Sequence, residues 1–302
     1  MLQFTKRFII KILFFATVAA TAQVSSVFNI NRPKSMSQRW ELDTLTSAGT
    51  FVITPYKPIY ILPLRWSSQP NDSPYSGNPS TDYTVDEPSD FNHLEAKFQI
   101  SFKVKILQTI FGRYGDLWVA YTQKSHWQVY NQSLSRPFRE TNYEPEVILN
   151  FHTDVNLFGF KNRMAGVSFN HQSNGRDMPL SRSWNRIIFH AGFERDNWQV
   201  YLRPWIRMPD DKDDNPDIVQ RIGYGDTTVI YTMGKSVVSF TGSTNFAFND
   251  HFSGYAEASW SYQLFGNLKG YLQITHGYGE TLIDYNNRQT TVGLGVSLVE
   301  WN

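Results

Sequence analysis

The stretch Val167-Ser168-Phe169-Asn170-His171-Gln172-Ser173 decides the fold. Side chains two apart on a strand share a face. Val167, Phe169, His171 and Ser173 therefore stand on one side, and Ser168, Asn170 and Gln172 on the other. The run that follows repeats the pattern, with Asn185, Ile187, Phe189 and Ala191 on one face and Arg186 and His190 on the other. An imidazole, a hydroxyl and an amide thus lie on faces that are otherwise greasy. Polar groups are costly there.

The same alternation extends over most of the chain. Segments near 59–66, 95–108, 116–126, 146–158, 164–173, 183–193, 197–208, 218–232, 235–247, 253–265, 268–278 and 289–300 read as strands. That is about twelve, an even number of the kind single-chain outer-membrane barrels prefer. The chain carries 22 Phe, 16 Tyr and 9 Trp, yet its mean hydropathy is only −0.40. Lipid-facing and lumen-facing side chains in alternation, with aromatic girdles, give this combination. The expected fold is an all-β transmembrane antiparallel β-barrel.

The first residues read as a secretory signal: Lys6, Arg7 and Lys11, an apolar run from Ile12 to Ala20, then Ala20-Thr21-Ala22. Cleavage after Ala22 would leave 23–302 as one barrel domain. There is no cysteine, so neither disulfides nor thiolate chemistry enter. The net charge of +1 gives no electrostatic case for nucleic acid.

Connections alternate in length. Glu194-Arg195-Asp196, Gly234 with its neighbours and Gly266-Asn267 make short turns; 67–94, 127–145, 174–182, 209–217 and 279–288 make long loops. Short turns are periplasmic and long loops external in bacterial barrels, so His171, Ser173 and Asn185 fall at the external end. The connection between their strands is centred near Met178, which sets His171 roughly opposite Asn185 in an antiparallel pair.

A serine hydroxyl needs a base to take its proton, and the base needs a third group to orient it. Ser173, His171 and Asn185 can fill these roles, the amide accepting from the ring through its carbonyl oxygen. The plainer reading is that all three are interfacial polar residues just above the hydrocarbon. A hydrolytic trio outside the barrel would face lipid esters, which points to acyl ester hydrolysis of phospholipids. The acidic run Asp210-Asp211-Lys212-Asp213-Asp214 lacks the glycine and terminal glutamate of an EF-hand and reads as a solvated external loop. Gln123 shares the outward face of Leu117, Val119 and Tyr121, while Trp118, Lys124, Arg186 and His190 point into a polar interior.

Several motifs together resemble the outer-membrane phospholipase A family. They are Tyr121-Thr122-Gln123-Lys124-Ser125, Pro137-Phe138-Arg139-Glu140-Thr141-Asn142-Tyr143-Glu144-Pro145, Asn170-His171-Gln172-Ser173-Asn174-Gly175-Arg176, Ser181-Arg182-Ser183-Trp184-Asn185-Arg186, Asp213-Asp214-Asn215-Pro216-Asp217 and 277–286. The resemblance implies a calcium-dependent homodimeric phospholipase A of the outer membrane, acting on both glycerol ester positions of membrane phospholipids. It makes Ser173 the nucleophile, His171 the base and Asn185 the orienting amide, and adds the Gly175 N–H as an oxyanion donor. It places Ca2+ on the Arg176 main-chain oxygen, on Ser181, and on Ser135 supplied by the partner subunit. Gln123 would act across the dimer. Three departures from the family pattern are Gln172, which stands between His171 and Ser173 where an acidic residue can occur but points inward, Arg136, between Ser135 and Pro137, and the terminal Asn302 in place of an aromatic. The competing expectations are a non-enzymatic channel or structural barrel, and a barrel lipid A deacylase or acyltransferase.

Overall fold

A computed structural model describes residues 34–301 except Thr44, Arg113, Phe248 and Asp250. The segment read as a secretory signal, 1–22, and Asn302 lie outside the described residues. The chain forms a closed antiparallel barrel. Its strands are β1 (Ile53–Pro55), β2 (Ile59–Ser67), β3 (Leu94–Leu107), β4 (Asp116–Trp127), β5 (Glu140–Leu157), β6 (Phe160–Ser173) and β7 (Ser183–Arg195). They continue as β8 (Trp198–Met208), β9 (Gly225–Met233), β10 (Ser236–Thr244), β11 (Gly254–Phe265), β12 (Leu268–Gly277) and β13 (Gln289–Val299).

Each strand from β2 onward pairs with its sequence neighbours, and β13 closes on β2. The short β1 and the longer β2 lie along different parts of β3, with Pro55 opposite Phe102 and Tyr60 opposite Gln99. They form one interrupted stave, so the wall has the expected twelve. Long connections share one end with 174–182, and two-residue turns such as 234–235 and 266–267 share the other.

The wall is inside out relative to a water-soluble protein. Val119, Val147, Phe169, Phe189, Ile206, Phe240, Ile274 and Leu294 are exposed on it, as the apolar band of a lipid-embedded barrel must be. Charged groups fill the lumen instead: Lys97, Lys103 and Glu280 are buried. An isolated charge there would be very expensive, so most are paired with an opposite charge, and Lys103 is met by the Trp40 and Trp118 rings instead. Arg65 binds Glu95 (2.7 Å) and Glu280, while Lys97 reaches Glu280 at 2.9 Å.

A short helix and a long loop enter the lumen. At the short-turn end, helix α1 (Met36–Trp40) is capped by Ser35 and Gln38, and Arg39 donates to the Glu300 main-chain oxygen (2.7 Å). Trp40 meets Trp118 edge-on at 6.0 Å, and the Lys103 ammonium sits 3.4 Å from the Trp40 ring centre. That ring faces an ammonium with no hydrogen-bond partner among the described residues. At the other end, loop 278–288 folds inward and buries Leu282, Ile283, Asp284 and Tyr285. A cavity of about 190 Å³ remains between, lined by groups such as Lys57, Lys124, Glu144 and Arg186.

Two boundaries differ most from the sequence expectation. β5 begins at Glu140 rather than 146, because Glu140–Pro145 complete the ladder with β4. The segment expected as strand 218–232 splits into helix α2 (Ile218–Ile222) and β9. Ile218 and Ile222 recur at a helical spacing, and both pack with Trp184, Trp205, Leu282 and Tyr285 inside the loop end of the barrel. The acidic run is also more than a solvated loop, as the site shows.

Candidate active site

β6 and β7 are joined by loop 174–182, and their register sets His171 against Asn185 and Ser173 against Ser183. The pleat turns Phe169 outward, where it is exposed, and Asn170 inward, where it is fully buried. His171, Ser173 and Asn185 follow Phe169 and are half-buried on the outer wall. His171 Nδ1 donates to Asn185 Oδ1 at 2.8 Å. In this tautomer the Nε2 lone pair is left free to accept a proton. Ser173 stands two residues along the same face, and no hydrogen bond joins it to His171 among the described residues. Such contacts are often long before substrate binds.

Gly175 follows with φ +62°, the left-handed region that favours glycine. A Cβ there would also meet the Tyr143 ring at 3.0 Å. Both constraints keep position 175 a glycine, an exposed and bare piece of backbone two residues beyond Ser173. Arg176 turns its side chain away, donating to the main-chain oxygens of Phe138 (2.9 Å) and Arg139.

Asp214, which the sequence reading leaves in a solvated loop, reaches the expected site. Its Oδ2 accepts from Ser181 (2.8 Å) and Ser183 (3.3 Å), and its Oδ1 from the Tyr83 hydroxyl (2.6 Å). Burial, then the bond to Asp214, push the Tyr83 phenol up to about 12, so it stays a donor. The fully buried Asn215 accepts from the Ser183 N–H at 3.1 Å. Asp213 meanwhile pairs with Arg207 at 2.5 Å. Only the front of the acidic run, Asp210 to Lys212, is fully solvated. The Asn-Pro pair at 215–216 is a turn-forming sequence and is the one local signal of the bend beside Asp214.

Ser135 stands in the neighbouring loop 128–139, where its main-chain oxygen accepts from Trp127 Nε1 at 2.9 Å. It bonds to none of the other predicted site residues among those described. Gln123 is satisfied along its own strand, accepting from Tyr121 (3.0 Å) and donating to Ser125 (3.2 Å).

Known proteins resemble the chain throughout this framework. The phospholipase A1 family model matches residues 36–298. A putative phospholipase A1 of Neisseria meningitidis serogroup B is 40% identical over 86% of this chain and 69% of its own length. The phospholipase A1 of Klebsiella pneumoniae is 40% identical over 82% of both chains. Among solved structures, outer membrane phospholipase A from Escherichia coli superposes with a TM-score of 0.73 at 38% identity, covering 82% of this chain and 94% of that one. A calcium-bound dimer of the Salmonella typhi outer membrane phospholipase gives 0.75 at 38% identity, covering 85% and 95%.

Proposed function

This chain belongs to the phospholipase A1 family and is a phospholipid hydrolase, and we propose that it works through Ser173, His171 and Asn185 on the lipid-facing wall of an outer-membrane barrel. The observation that carries this reading is the His171–Asn185 hydrogen bond on that wall, beside Ser173. His171 Nε2 takes the Ser173 proton as Oγ attacks the ester carbonyl carbon. The same proton then goes to the departing glycerol oxygen, leaving an acyl-enzyme and a lysophospholipid. Water, deprotonated by His171, releases the fatty acid and restores Ser173. Asn185 holds the ring in its productive tautomer throughout. The Gly175 N–H faces the developing oxyanion, a role worth about 3–4 kcal/mol where it has been measured.

Ser173 and His171 are half-exposed on an outer wall, which leaves room for either ester of a phospholipid to approach. The activity proposed is therefore A1 and A2. The long loops surround the site, and that asymmetry supports an external orientation.

The donors near Ser173 suit a hard, oxygen-seeking cation. Ser181 spends its proton on Asp214 and keeps its lone pairs free, and the carboxylate supplies charge behind it. Ser181, the Arg176 main-chain oxygen and Ser135 of a second copy would hold Ca2+. Bound there, it supplies Lewis-acid polarisation of an ester carbonyl or a water. The Salmonella relative is a dimer with bound calcium, which supports a homodimer here as the active form. Gln123, on the outward face of β4, would lie in the contact. Requiring a second copy has a physical motive: lipid is always present, and a complete site in the monomer would damage its own membrane.

The test is fatty-acid release from phospholipid mixed micelles, with and without calcium, for the wild type and Ser173→Ala. The expected result is calcium-dependent release of free fatty acid and lysophospholipid by the wild type, and a folded but inert variant. More than residual hydrolysis by Ser173→Ala removes the nucleophile assignment. Positionally labelled lipid separates A1 from A2 products.

A further inference from the structure

The side chain next to the proposed nucleophile points the other way. Strand alternation turns Ser173 outward and Asn174 inward, where it is buried. Asn174 Oδ1 accepts the main-chain N–H of Arg176 (3.3 Å) and of Arg182 (3.0 Å). Its amide donates to the Leu180 main-chain oxygen (2.8 Å) and to Glu140 Oε2 (3.4 Å). One side chain thus ties both ends of the loop that carries Gly175, Arg176 and Ser181.

Glu140 is fully buried and has no part in the chemistry above. Besides Asn174, it faces Arg176 Nε at 3.6 Å. Its Oε1 accepts from Asn142 Nδ2 (2.7 Å) and from the Ile283 N–H (3.3 Å), while Asn142 Oδ1 accepts from the Leu282 N–H (3.0 Å). Ile283 and Leu282 belong to the loop folded into the lumen. That loop is pinned separately through Asp284, which binds Arg139 at 3.2 Å.

We propose that Glu140 and Asn174 are positioning residues for ester hydrolysis, a lumenal pair through which the inward-folded loop 278–288 fixes the oxyanion donor on the opposite face of the wall. This rests on the triad reading. A buried carboxylate whose bonds all go to fixed donors has one low-energy arrangement, so it transmits position rather than charge. Gly175 has no side chain to hold its own N–H in place, and the constraint must come from its neighbour.

The test is a reciprocal exchange of amide and carboxylate in the full-length dimeric enzyme with calcium. In Glu140→Gln, Oε1 still accepts from Asn142 and Ile283, but the new amide faces the Asn174 amide. We expect kcat to fall about tenfold with KM within about twofold, because small displacements of a transition-state donor cost rate and not affinity. Asn174→Asp sets two carboxylates together and should lose about a hundredfold in kcat. The double variant Glu140→Gln/Asn174→Asp restores the donor–acceptor pair between these two side chains, with the Leu180 oxygen left without its donor in both proteins, and should regain at least tenfold over Asn174→Asp while staying below the wild type, a coupling expected only of residues in contact. A double variant no better than Asn174→Asp overturns the proposal. If Asn174→Asp does not fold, Glu140→Gln decides alone: unchanged kcat, or loss entirely through KM, overturns it. Activity retained by Ser173→Ala would sink the triad reading; an inert Ser173→Ala beside an unimpaired Glu140→Gln would sink only this inference.

Discussion

His171 and Asn185 stand directly opposite one another on β6 and β7, and the ring nitrogen Nδ1 donates to the amide oxygen at 2.8 Å. The pairing register fixes this contact, so it survives or fails with one acceptor atom. Asn185→Ala should lower kcat by about 10–100-fold with little change in KM, since the ring loses its tautomer bias and not its substrate. Asn185→Asp keeps the acceptor and should stay within about tenfold of the wild type. Steady-state hydrolysis of one phospholipid by the three proteins gives the comparison; full activity in Asn185→Ala would remove the amide from the mechanism.

Asp214 backs the Ser181 hydroxyl. If Ser181 holds calcium, the carboxylate orients that hydroxyl and adds negative charge behind it. Asp214→Asn should raise the calcium concentration for half-maximal activity by about 10–100-fold, the usual cost of losing an outer partner of a metal ligand. A calcium titration at saturating lipid reads this directly. An unchanged midpoint would place the metal elsewhere.

Glu280 sits between Arg65 and Lys97 inside the lumen. Burial alone would raise its carboxyl, but the two cations overcome that and hold it well below the usual carboxylate range. A depressed folded value means stability that is complete above the unfolded value and is lost as pH falls toward the folded one. Glu280→Gln should cost about 3–5 kcal/mol at neutral pH, because buried Lys97 loses its counter-ion and Arg65 keeps only Glu95. Urea unfolding in micelles at pH 7 would show it, and a variant as stable as the wild type would contradict the pairing.

Glu300, just past β13, behaves oppositely. Burial pushes its carboxyl from 4.5 up to about 7, against the hydrogen bond from Ser297 and the nearby Lys269. Between those two values the unfolded chain has released the proton while the folded chain still holds it. Stability therefore declines as pH rises from about 4.5 to about 7 and is level above. Glu300→Gln cannot ionise, so it should match the wild type near pH 4 and exceed it by up to about 3 kcal/mol at pH 8. Parallel unfolding curves for the two proteins across this range would refute the assignment.

The amino-acid order determined whatever depends on short-range period. Alternation marked the staves, turn residues marked which end carries long loops, and a midpoint near Met178 matched His171 with Asn185. These are properties of neighbours along one or two strands, where the pleat and the register leave no freedom. Helix α2 shows the limit: Ile218 and Ile222 fit a strand or a helix equally well until the Trp184–Trp205 cluster selects a face. The contacts that complete the site come from distant parts of the chain. Asp214 meets Ser181 from across another loop, Glu140 meets both Asn174 and Ile283, and α1 enters a lumen no local pattern describes. Closing the barrel decides those contacts, because only a closed wall gives buried charges and inward-folded loops fixed partners and denies them water.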